Sequence, residues 1–188
     1  MIIAFTGYLQ SGKDTAADYL LARNKSFKKY SLAQPLKEAA KIMFGFTDDQ
    51  VYGVGKDVID SRYGIKPREV LQTLGTEYAQ KTLPTMFPEF EKTIGRNLWV
   101  SRFLEMRPDN CVLSDLRFPH EADAVKSIGG YVIRVLRPDK VPHSKDLHES
   151  EKYIQELEVD SEIINDGSLV DFYEKIEFVL KHLGVVAI

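Results

Sequence analysis

The chain has 188 residues, of which 44% are hydrophobic and 28% charged, and a formal net charge of -3. That length suits one domain around one core, and that charge gives no overall attraction to nucleic acid or anionic membrane, so any phosphate binding must be local. The single cysteine, Cys111, excludes an internal disulfide framework and a cysteine-rich metal site.

Cys111 sits in an apolar run and reads as a small buried residue of a reducing compartment. The chain enters "MIIAFTG" with no basic segment ahead of it, and this apolar run is too short for a signal peptide. No stretch is long enough to span a bilayer. A cytoplasmic protein is expected.

Ile2–Thr6 is a short apolar run ending at a glycine, which predicts a buried strand. A loop follows. Lys13–Arg23 then carries Ala16, Ala17, Tyr19, Leu20 and Leu21 at helical spacing. Ser26–Leu32 predicts a second strand. "QPLKEAAKIMFG" has Pro35 in its first turn and closes at Gly45, which punctuates a helix. Residues 45–66, rich in Gly and Asp and weakly periodic, predict a surface excursion. Pro67–Leu83 and Phe87–Arg107 predict two more helices. Asn110–Phe118 predicts an apolar strand that ends on Asp115. "PHEADAVKSIGG" predicts a helix and Tyr131–Pro138 a strand. Asp139–Asp160 predicts a polar, mobile stretch, "SEIINDGS" a short strand into a turn, and Leu169–Leu183 a last amphipathic helix. Strands alternating with helices indicate an α/β fold with a parallel sheet covered on both faces. Such sheets bind ligands at the carboxyl ends of their strands, where Gly7 and Asp115 fall.

"GYLQSGKDT" has the spacing G-x-x-x-x-G-K of a phosphate-binding loop. Glycines let several backbone N–H groups approach one phosphate. The helix opening at the loop's end adds partial positive charge, and a lysine reaches the phosphates nearest the transfer point. Gly7, Gly12 and Lys13 meet these needs in the required strand–loop–helix context. Asp14 stands where a Ser or Thr is usual. It either holds Mg²⁺, directly or through water, or is a first-turn acid that favours the helix dipole. Thr15 can offer its hydroxyl to a phosphate. The shifted threonine of "GKDT" is similar to the loop of adenylate kinases.

Asp115 closes an apolar strand, a position from which a carboxylate can hold Mg²⁺ or its waters, or merely cap a turn. Phosphoryl transfer gathers cations around the transferred group, and Lys37, Arg68, Arg117 and Arg137 lie near element edges. Arg68, Gln72 and Thr76 are four apart and share a helix face. Trp99 either stacks on a base or fills the core, and core is favoured. None of His120, His143, His148 and His182 has paired metal-ligand spacing, so no zinc site is expected.

Together "GYLQSGKDTAAD", "LAQPLK", "REVLQTLGTE", "DLRFPHEADA", "VLRP", "DLHESE" and "IINDGSL" resemble the deoxynucleoside monophosphate kinases of the phage type, in order over nearly the whole chain. The resemblance implies a three-layer P-loop fold of 1–188, with an acceptor-binding helical region over about 33–107 and a lid over about 137–160. It places ATP phosphates and Mg²⁺ on Gly7, Ser11, Gly12, Lys13, Asp14 and Thr15, with Asp115 as a second metal ligand. It places the monophosphate on Lys37, Arg68 and Arg117, and its base or sugar near Gln72 and Thr76. Lys13, Asp115, Arg117 and Arg137 become the catalytic set. Arg137, His148 and Glu151 belong to the lid, and Asn165 to the adenine region. The partners implied are ATP and a deoxynucleoside monophosphate, with a possible homodimer and no nucleic acid or membrane. The segment after Gly45 is shorter than in the larger phage enzymes, and Tyr8, Leu9 and Gln10 replace basic residues of some relatives. The acceptor therefore stays open between a deoxynucleotide and another phosphate ester such as phosphomevalonate. A nucleotide-binding switch without turnover is the third reading.

Overall fold

The computed structural model describes residues 1–107, 109–141 and 152–185. Two compact units divide the chain: Met1–Ser31 with Arg107–Ile188, and Leu32–Met106.

The first unit is built on five parallel strands, β1 (Ile2–Thr6), β2 (Lys28–Tyr30), β3 (Cys111–Leu116), β4 (Tyr131–Leu136) and β5 (Ser161–Ile164), in the order β2-β3-β1-β4-β5. All five residues of β1 are buried, as its unbroken apolar run requires of a central parallel strand. Ile3 and Phe5 join Val112, Ile133 and Val135 in the main core. Ala16, Ala17 and Leu20 of α1 (Lys13–Arg23) and Phe172, Ile176 and Leu180 of α9 (Leu169–His182) close it from the same side. Ile2 and Ala4 point the other way, toward the side where α8 (Pro119–Ser127) packs along β1 and β4. The result is a three-layer α/β arrangement. Cys111 is fully buried, and its apolar surroundings push the thiol up to about 11.

The second unit is helical: α2 (Gln34–Phe44), α3 (Asp48–Tyr52), α4 (Pro67–Gln72), α5 (Leu83–Met86), α6 (Pro88–Thr93) and α7 (Leu98–Met106). Ala40, Phe46, Val51 and Val70 form its core.

Five local expectations change. The surface excursion over 45–66 is structured. Thr47 and Gln50 form a capping box that starts α3, and Asp60 accepts hydrogen bonds from Gln50 Nε2 and from the backbone and side chain of Arg62. The Arg62 guanidinium in turn reaches Gly45 O, the end of α2. The helix over Pro67–Leu83 is π-wound from Thr73 to Thr82, and Gly75 O there accepts the indole N–H of Trp99 at 2.9 Å. Trp99 is thus half-buried and used through its polar edge, not as core filling. The long helix over Phe87–Arg107 is two helices, α6 and α7, broken where Gly95 turns left-handed (φ 55). Finally, the described residues after 151 in the stretch over 139–160 are not loose. Ile154 and Leu157 are buried, and Arg134 donates to the carbonyls of Ile154, Gln155 and Leu157 while pairing with Glu162. His143, His148 and Glu151 lie outside the described residues. Among the described residues no helix is long and apolar enough to cross a membrane.

A candidate phosphate-binding site

The loop after β1 is shaped by residues that tolerate unusual backbone. Thr6 is buried and donates its hydroxyl to Leu116 O at 2.9 Å, tying the end of β1 to β3. Gly7 has φ 151, and a Cβ there would sit 2.5 Å from Ser11 Oγ. Ser11 N–H closes a turn onto Tyr8 O at 3.1 Å, with Gln10 in the left-handed region at φ 62. Gly12 has φ 109 and caps α1, whose first intrahelical bond runs from Ala16 N–H to Gly12 O at 2.9 Å. The amides of Lys13, Asp14 and Thr15 precede that bond, so they form the partially positive end of the helix. Lys13 Nζ folds back to donate to Tyr8 O at 3.0 Å, holding an ammonium at the mouth of the loop.

These residues line a cavity of about 360 Å³, a size that suits a nucleotide-like ligand. Gln10, Gly12, Lys13, Asp14 and Thr15 form one wall. Arg137, at the end of β4, and Asn165, Gly167, Leu169 and Phe172, after β5, form the other. Arg137 Nε is 3.0 Å from Asp139 Oδ1. Asn165 Nδ2 donates to Ser11 O at 2.9 Å. Two cations and a helix N-terminus facing one cavity make an anion site; the exposed side chain of Leu169 adds an apolar surface at its edge.

Beside it lies an acidic edge. Asp14 Oδ1 accepts the hydroxyl of Ser114 at 2.7 Å and lies 3.6 Å from Lys29 Nζ. Asp115, next along β3, accepts the hydroxyl of Ser31 at 2.6 Å. The Asp14 side chain keeps 68% of its exposure. Among the described residues no group of three or more His, Cys, Asp or Glu could hold a metal ion. One exposed, pre-oriented carboxylate with the remaining ligands drawn from phosphate and water fits Mg²⁺, which keeps waters and is held by one or two carboxylates. Arg117 follows on the same strand end. Its backbone N–H and that of Phe118 donate to Glu121 at 2.8 and 3.0 Å, closing the start of α8. Burial pushes the Glu121 carboxyl up to about 7.

A model of the deoxynucleotide monophosphate kinase family matches residues 1–58 and 56–176. The chain belongs to the deoxynucleotide monophosphate kinase family. A putative deoxynucleotide monophosphate kinase of Acanthamoeba polyphaga mimivirus is 36% identical over 94% of this chain and 94% of its own length. The deoxynucleotide monophosphate kinase of Enterobacteria phage T4 is 26% identical over 97% of this chain and 99% of its own. Among solved structures, the shikimate kinase of Aquifex aeolicus superposes with a TM-score of 0.48 at 15% identity, covering 98% of this chain and 99% of that one.

This kinase therefore gathers Gly12, Lys13, Asp14, Thr15, Arg137 and Asn165 around one cavity, with Gly7 and Ser11 shaping the loop behind it and Asp115 and Arg117 on the neighbouring strand end. Lys37, Arg68, Gln72 and Thr76 belong to the helical unit. There, Arg68 Nε and Nη2 form a bidentate pair with Asp57 at 2.6 and 2.8 Å. Lys37 Nζ lies 4.8 Å from the Tyr52 ring centroid. Thr76 is buried and Gln72 half-buried; the π winding from Thr73 changes the period on which their shared face was expected. Gln10, Leu169 and Phe172 were not expected at the site. The two apolar residues follow "NDGS", and the spacing Ser168–Asp171, a capping box, marks the helix start that brings them there.

Proposed function

We propose that this kinase transfers the γ-phosphoryl group of ATP to a deoxynucleoside 5′-monophosphate. A phosphate oxygen of the acceptor bonds to the γ-phosphorus, the bond from the γ-phosphorus to the β–γ bridging oxygen breaks, and ADP leaves. The observation that carries this reading is the cavity that joins the loop, the α1 N-terminus, Lys13 and Arg137, in a chain whose family is named for that acceptor.

The acceptor oxygen is already ionised near neutral pH, so no strong base is needed, and positioning with charge neutralisation supplies the rate. In this reading the amides at 13–15 cradle the ATP phosphates, and Lys13 and Arg137 meet the charge that spreads over the transferred group. Asp14, oriented by Ser114, and Asp115 would hold Mg²⁺, which supplies further neutralisation when bound. Leu169 offers the adenine an apolar face. The helical region over about 33–107 would take the acceptor, with Lys37 and Arg68 toward its phosphate and Gln72 and Thr76 toward its base or sugar. The stretch over about 137–160 would act as a lid that excludes water.

The test is ADP release from ATP and Mg²⁺ with dTMP, dGMP, dCMP, dAMP, their ribo forms and phosphomevalonate. Acceptor-dependent ADP with one or more deoxynucleotides is expected. Turnover with phosphomevalonate alone would overturn the acceptor, and tight ATP binding with no turnover on any acceptor would replace the kinase reading with a switch.

A further inference from the structure

We infer that Asn165 is a positioning residue for the phosphate loop, acting on the triphosphate through the backbone of Ser11–Gly12 and not on the adenine base. This rests on the cavity being the ATP site.

The backbone of Asn165 is fixed first. Its N–H donates to Leu136 O at 2.7 Å, one step beyond the β4–β5 ladder. The side chain therefore starts from the sheet, the most rigid part of the unit. From there Nδ2 donates to Ser11 O at 2.9 Å. The amide also presses on the next residue: a Cβ on Gly12 would lie 2.7 Å from Nδ2 and 3.1 Å from the Phe172 ring. Glycine at 12 thus serves two ends, the left-handed turn and room for this side chain.

The consequence follows from peptide planarity. The carbonyl of Ser11 and the N–H of Gly12 share one rigid plane and point in opposite directions. Holding Ser11 O on Asn165 sets the direction of the Gly12 N–H, at the residue that caps α1 and lines the cavity. Donation to the carbonyl also polarises that peptide and strengthens its N–H as a donor. One of the two Nδ2 hydrogens goes to the Ser11 carbonyl, so the loop, and not a base, sets the plane of this amide.

The two roles separate with a ligand that has no base. Binding of ATP and of inorganic tripolyphosphate, each with Mg²⁺, is measured by calorimetry for the wild type, Asn165→Ala and Asn165→Leu. Leucine keeps the branched shape beside Gly12, so it answers the question if alanine unsettles the turn. Both variants are expected to weaken both ligands by the same factor, about tenfold for one lost hydrogen bond. In turnover, KM for ATP rises while KM for the acceptor holds. Loss confined to ATP would overturn the inference in favour of base reading, and no loss with either ligand would overturn it outright. A wild type that binds neither would instead remove the ATP-site reading beneath it.

Discussion

Asp14 and Ser114 lie 100 positions apart and are joined by a 2.7 Å hydrogen bond. The bond fixes the orientation of a carboxylate that is otherwise largely exposed. Removing the hydroxyl with Ser114→Ala leaves the charge in place and frees its rotamer. The Mg²⁺ concentration needed for half-maximal turnover should rise several-fold, while turnover at saturating Mg²⁺ falls little. Asp14→Asn should raise the Mg²⁺ requirement further. An unchanged Mg²⁺ titration in both variants would remove Asp14 from the metal site.

Lys13→Ala should lower turnover by about a hundredfold or more, the scale of losing one preorganised charge from a phosphoryl-transfer site. Circular dichroism should stay native, because the bond from Lys13 Nζ to Tyr8 O closes a loop and supports no core. Near-normal ADP release in this variant would contradict the proposed role of the loop.

Gln10 and Gly12 make opposite predictions about backbone. Gln10 holds φ 62 with a side chain attached, a conformation that costs roughly 1 kcal/mol. Gln10→Gly should therefore raise the thermal midpoint by about 2–4 °C. Gly12→Ala meets Asn165 and Phe172 as well as an unfavourable φ, and should lower both the midpoint and ATP affinity. Differential scanning calorimetry of the pair reads both.

Glu177 anchors α9 to α1. Its carboxylate accepts Tyr19 Oη at 2.5 Å and pairs with Arg23 at 2.7 Å. The Arg23 guanidinium and the Tyr19 hydroxyl hold its pKa down at about 2, against an ordinary 4.5. A lowered carboxyl stabilises the folded state above the ordinary value, and that contribution disappears as pH falls from about 4.5 toward 2. Glu177→Gln should cost on the order of 1 kcal/mol at neutral pH and flatten the acid limb of the stability curve. Urea melts of both proteins between pH 3 and pH 7 test this; parallel curves would contradict it.

Legibility followed sequence range. The strand–loop–helix around Gly7–Lys13 could be read because hydrophobic period, glycine spacing and lysine position all agree within a few residues. Asp115 was expected to close its strand, but β3 runs one residue further, to the buried Leu116, because the acid only interrupts the apolar run. The break at Gly95 was hidden by an apolar pattern that continues across it, and the π winding at Thr73–Thr82 has no local signature as plain as a proline. The bond from Asn165 to Ser11 spans 154 positions. Nothing in the spacing of "NDGS" names that carbonyl; only the sheet order, which puts β5 beyond β4 and β4 beside β1, brings the two together.

That strand order also governs how the molecule is made. The strand that opens the chain, β1, pairs with Cys111–Leu116 on one side and Tyr131–Arg134 on the other. On a ribosome it therefore emerges long before either partner. The helical stretch Leu32–Met106 is continuous in sequence, whereas the apolar run Ile2–Phe5 must wait for strands that are made much later. Premature termination anywhere before residue 111 would leave that segment exposed and prone to aggregate, so a truncated chain gives a chaperone client and not a weaker enzyme.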